Sequence, residues 1–117
     1  MDASQLPLDE FLRHLERVLQ QYIELCLKMV ERWFDNVLYG EASRTATLVR
    51  ALFSRDPLLS GHTAQVLSAH DNLVLALWRS THVRTREARM RIQHSMDRLF
   101  AAVHQARASA STLLARA

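Results

Sequence analysis

From His62 to Ala117 the chain contains neither glycine nor proline, and its 117 residues hold only two of each. An all-β domain needs a turn every ten or so residues, and turns draw heavily on these two residue types. Their scarcity leaves long helices as the available structure, and the few that occur act as punctuation. Pro7 fits the first turn of a helix, with Asp9 and Glu10 setting negative charge near its exposed N–H groups. Gly40 is the matching stop. The spacing predicts a helix over about 8–39, a short helix over about 42–55 closed by Asp56 and Pro57, a connector over 56–62, and a long helix over about 63–113. In the last of these, Val66, Leu67, His70, Leu73, Val74 and Leu77 form one apolar stripe. Ile92, Met96, Leu99, Val103, Ala106, Ala110 and Leu113 form a second on nearly the same side. Between them "RSTHVRT" (79–85) is a weak point, where β-branched and hydroxyl residues favour a kink or turn. The expected fold is all-α: a single domain over 1–117, either an elongated hairpin of long amphipathic helices or a three-to-four-helix bundle, self-associating.

The strongest demand for a covering surface comes from "IELCLKMVERWFDNVLYG", residues 23–40. In the first half of its helix, Leu8, Phe11, Leu12, Leu15, Val18 and Leu19 stay within an arc of about 120°, enough for one neighbour. After Tyr22 the apolar arc widens to about 220°. At ~25 cal/mol per Å², several large side chains left in water would forfeit stability comparable to that of a whole domain. Three coverings answer the demand: the chain folding back on itself, a second copy, or an apolar surface such as lipid or polymer. The expected interaction or oligomer face is Ile23, Leu27, Val30, Trp33, Phe34, Val37 and Leu38.

Charge is unevenly spread. Residues 1–58 hold seven basic and nine acidic residues (−2), and residues 59–117 hold eight and three (+5). The run "RSTHVRTREARMRIQHSMDR" supplies Arg84, Arg86, Arg89, Arg91 and Arg98 as an anion-contact set, with Arg84, Arg91 and Arg98 recurring every seven residues on one face. No DNA-binding module surrounds them and no aromatic residues interleave for base stacking. The other reading pairs them with Glu24, Glu31 and Asp35 of the first helix.

Catalytic and metal chemistry find no support. There is no H-x-x-x-H or E-x-x-H pair to start a helical metal site and no glycine-rich phosphate loop. No nucleophile, base and oxyanion donor can be assembled, so an enzyme is not expected and no cofactor is implied. His70, on an apolar stripe, reads as a core histidine, and Cys26, inside the apolar arc, as an inert buried thiol. A single cysteine and an N-terminus without a leader pattern point to the cytoplasm. The longest apolar run, Leu73 to Trp78, is far short of the ~20 residues a membrane helix needs.

The stretch "ASRTATLVRALFSRDPLLSGHTAQVL", set between one long helix and another, resembles the phasins, small bacterial helical proteins that coat polyhydroxyalkanoate granules. The likeness covers roughly residues 8–100 and is carried by "RALFSRDP", a helix ending in a Leu-rich turn that leads into a connector. The chain departs from that family in being Arg-rich and in carrying Trp33 and Trp78. The resemblance implies a non-enzymatic coat whose apolar face meets the granule, its own copies or the polymer synthase. An adaptor, chaperone or regulatory module holding one protein partner is the alternative, and nucleic-acid binding through residues 79–98 the third reading.

Overall fold

The computed structural model describes residues 6–80 and 84–116. Within them the chain forms α1 (Leu8–Glu31), α2 (Asn36–Phe53), the single turn α3 (Pro57–Ser60), α4 (Thr63–Arg79) and α5 (Arg86–Arg116). The all-α expectation holds, and of the two architectures considered the chain adopts the bundle.

The single helix expected over 8–39 is broken in two, and the break does not use the glycine. Phe34 N–H donates to Met29 O at 3.0 Å and Trp33 N–H to Val30 O at 3.1 Å, the nested pair of bonds that closes a helix through a left-handed residue. That residue is Trp33, at φ 58°, followed by Phe34 at φ 83°. Asp35 then caps the next helix, its Oδ1 accepting from Val37 N–H at 2.9 Å and Leu38 N–H at 3.1 Å. Satisfying these end groups on both sides offsets the backbone strain.

Gly40 is therefore not a stop but a residue inside α2, which begins at Asn36 and not near 42. A Cβ built at Gly40 meets nothing within 4 Å. Gly40→Ala should accordingly stabilise the protein by about 1 kcal/mol and raise Tm by ~4 °C in a thermal melt; a lower Tm would contradict the helical setting.

The connector over 56–62 is also partly helical. Asp56 Oδ1 accepts from Leu58 N–H at 2.8 Å and Pro57 opens the α3 turn. The long helix expected over 63–113 is two helices, α4 and α5. Ser80, Arg84 and Thr85 lie outside both, and Thr85 Oγ1 accepts from Ala88 N–H at 3.1 Å. The hydroxyl residue that weakens one helix thus caps the next. Residues 81–83 of this weak point lie outside the described residues.

With both long segments broken, the pieces can turn back. α1 packs on α2 and α5, and α4 packs on α2 and α5, so the four longer helices close a ring around one core. Cross-links between helices fix the directions. Arg107 of α5 pairs with Glu16 of α1 at 3.0 Å and reaches Gln20 Oε1 at 2.8 Å. His62 Nε2 lies 2.7 Å from Ser109 Oγ, and the Arg55 guanidinium sits 4.3 Å from the centre of the Phe11 ring. Neighbouring helices therefore run antiparallel in a bundle of 48 × 24 × 18 Å.

This ring covers much of the wide arc that begins after Tyr22, while Leu27 and Val37 stay exposed. Leu15, Leu19, Tyr22, Cys26 and Met29 are fully buried and share one cluster with Leu38, Val49, Phe53, Leu73, Leu77, Met96 and Leu99. Each large aliphatic side chain removed from water contributes roughly 1.5–3 kcal/mol.

Candidate functional site

The break between α1 and α2 places aromatic residues at one end of the bundle. The Phe34 ring stacks at a tilt on Tyr39, 5.6 Å between centres, and meets Trp78 of α4 edge-on at 5.5 Å. Trp33 turns its indole N–H to the carbonyl of Ser80 at 2.7 Å, tying the α1–α2 turn to the end of α4. Its ring faces the chain entering α5, with the Arg84 guanidinium 5.4 Å and that of Arg89 6.0 Å from its centre. Both distances suit a cation–π attraction worth roughly 0.5–1 kcal/mol at an exposed site.

This knot is packed underneath and open above. Trp33 and Phe34 are half-buried against the core, whereas Trp78 is 63% and Val37 68% exposed. Aromatic rings, an aliphatic side chain and two arginines thus share one outward surface, the composition in which binding energy concentrates at protein interfaces.

The residues expected to form the interaction face divide. Ile23 and Leu38, at 6% and 8% exposure, belong to the chain's own core, Val30, Trp33 and Phe34 are half-buried, and Leu27 and Val37 are exposed. The anion-contact set divides too. Arg84 and Arg89 lie over Trp33, Arg91 and Arg98 line a furrow between α4 and α5, and Arg86 is exposed near the start of α5. Within the chain and among the described residues, no ion pair joins this run to Glu24, Glu31 or Asp35, and Asp35 is taken by Arg32 at 3.8 Å and by its capping bonds. Trp78 and Tyr39 were not readable as site residues. The available signal was that Trp78 falls beside the Leu73–Leu77 stripe instead of on it.

Deeper in the bundle, three helices share a polar chain. Tyr22 Oη of α1 lies 2.7 Å from His70 Nδ1 of α4, and His70 Nε2 lies 3.5 Å from Ser43 Oγ of α2. Burial raises the Tyr22 phenol well above its ordinary value and lowers His70. A neutral imidazole accepting the Tyr22 O–H and turning its own N–H toward Ser43 satisfies all three groups. Burial also pushes the Cys26 thiol up to about 12, which keeps it protonated and unreactive. A serine beside a histidine suggests nucleophilic chemistry, but Tyr22 and His70 are both enclosed in the core. The chain acts as a structural tie.

Among the described residues, no three His, Cys, Asp or Glu side chains group as a metal site, and no helix is long and apolar enough to cross a membrane. Comparison with family models, curated proteins and solved structures returns no match.

Proposed function

We propose that the protein is a non-enzymatic helical binding module that holds a protein partner at the aromatic–arginine end of its bundle, in the cytoplasm. The observation that carries this reading is Trp78, 63% exposed although it sits edge-on to Phe34. A large ring that keeps most of its surface exposed beside a packed core has apolar area to offer a partner. Arg84 and Arg89, steadied over Trp33, favour a partner segment that combines apolar side chains with carboxylates.

A phasin-like coat would need a continuous apolar face. The inward turn of Ile23 and Leu38 removes two members of that face, which favours the adaptor reading over the granule coat. Photo-crosslinking from position 37 in native cells should give a discrete adduct with one other protein. Trp78→Ala or Arg84→Glu should abolish it, and crosslinking from position 114, about 40 Å along α5, should not produce it. Retention on hydrophobic polymer beads without any protein adduct would make the coat the better reading. An adduct only with a second copy would make this end a homo-oligomer contact.

A further inference from the structure

The furrow between α4 and α5 carries cations that the fold does not use. Arg79 at the end of α4 shares a cavity of about 490 Å³ with Arg91, His94 and Arg98 of α5, and Asn72 and Ser95 add neutral polar groups. Asn72 and Arg98 also border a second stretch of the same furrow, which continues toward Gln65 and Gln105. Among the described residues, no carboxylate lines either stretch. Asp97 is hydrogen-bonded by Gln93 at 2.8 Å, about 120° around α5 from the furrow face. Glu87, one turn ahead of Arg91, stands outside the lining. Among the described residues, ion pairs are made by Arg13, Arg32 and Arg107, and none by Arg79, Arg91 or Arg98.

Three guanidinium groups cannot shed their charge, so gathering them without counterions costs repulsion that an anion would relieve. Their forked donors match phosphate oxygens. Arg91 and Arg98 stand two turns apart, ~10.5 Å along the axis, a span suited to more than one phosphoryl group, and Arg79 closes it from the other helix. The volume is in the range of small-molecule sites, roughly 300–1,000 Å³. Leu75 and Ala76 give it an apolar flank, but among the described residues no aromatic ring lines it to stack successive bases. From this charge complementarity we propose that the α4–α5 furrow is a binding site for a metabolite-sized polyphosphate, held by Arg79, Arg91 and Arg98. The site shares no residue with the aromatic surface it adjoins and does not depend on the function proposed for that surface.

Inorganic tripolyphosphate is the probe, titrated calorimetrically at low salt. One molecule should bind per chain, with affinity that falls as salt rises. Arg91→Ala and Arg98→Ala should each weaken it about tenfold. Both residues are exposed, so the fold should persist, as circular dichroism would verify. Arg107→Ala, a change at an arginine already paired with Glu16, should leave binding intact. Undiminished binding in the Arg91→Ala/Arg98→Ala double variant would overturn the proposal. So would tight binding of a 20-nucleotide single strand through these arginines with no saturable response to tripolyphosphate, which would make the furrow a nucleic-acid contact instead.

Discussion

Replacing Trp33 by glycine should leave the protein at least as stable as replacing it by alanine, the reverse of the order expected in most helical settings. Both variants lose the indole, its 2.7 Å bond to Ser80 and the two arginine contacts. For a half-buried tryptophan that loss is about 3 kcal/mol. The variants differ in the backbone. At φ 58° alanine keeps a left-handed strain of roughly 1–2 kcal/mol, which glycine escapes, while glycine's freer unfolded chain costs it about 0.5–1 kcal/mol. Urea midpoints of the two variants decide the matter. If alanine proves clearly the more stable, the left-handed turn is not what separates α1 from α2. A left-handed tryptophan persists only where its surroundings hold it, and here they are the Ser80 carbonyl and the Arg84 and Arg89 guanidinium groups.

This turn also shows why the helical class was legible and the break was not. Class follows from spacing: the stripe Val66 to Leu77, the stripe Ile92 to Val103 and the dearth of glycine and proline all report period and continuity, which are local. The end of α1 is a tertiary choice. Gly40 is the residue that most cheaply adopts the left-handed conformation, and sequence reasoning places the stop there. The chain instead closes at Trp33, because Asp35 can cap the following helix and the indole finds Ser80 from forty-seven residues away. Likewise the 220° arc implied more than one neighbour without saying whose. Once the turn falls at residues 32–35, α2 and α5 flank α1, and the same chain supplies two of the neighbours while Leu27 and Val37 stay exposed. The arginines illustrate the same limit. Their seven-residue repeat marks a shared face, but whether that face meets α1 carboxylates, an indole or an open furrow depends on how α4 and α5 turn against each other.

Acidification below neutral pH should destabilise the protein through His70, and Tyr22→Phe should do so at every pH. The hydroxyl removed by Tyr22→Phe leaves His70 Nδ1 buried without its partner, a cost of roughly 1–3 kcal/mol. For the titration the sign is fixed by direction: burial lowers the folded-state pKa of His70 below its ordinary 6.5, against a smaller opposing pull from Asp71. The unfolded chain therefore takes up the proton first. Stability is full above about pH 6.5 and is lost as pH falls from there toward the lowered folded value. Cys26 sets the opposite limit, because its thiol is raised from 9.0 to about 12; its contribution is full below pH 9 and declines as pH rises toward 12. Denaturation midpoints followed from pH 7.5 to 5.5 should fall in the wild type and fall less in His70→Gln. Equal slopes would mean that His70 does not carry the acid sensitivity. The consequence for binding follows from where the chain of groups sits. Tyr22 of α1, Ser43 of α2 and His70 of α4 lock three helices in register, and the ends of those same helices bring Trp33, Phe34, Tyr39 and Trp78 together. The partner binding proposed for the aromatic end should weaken over the same acid interval as the fold, and less so in His70→Gln.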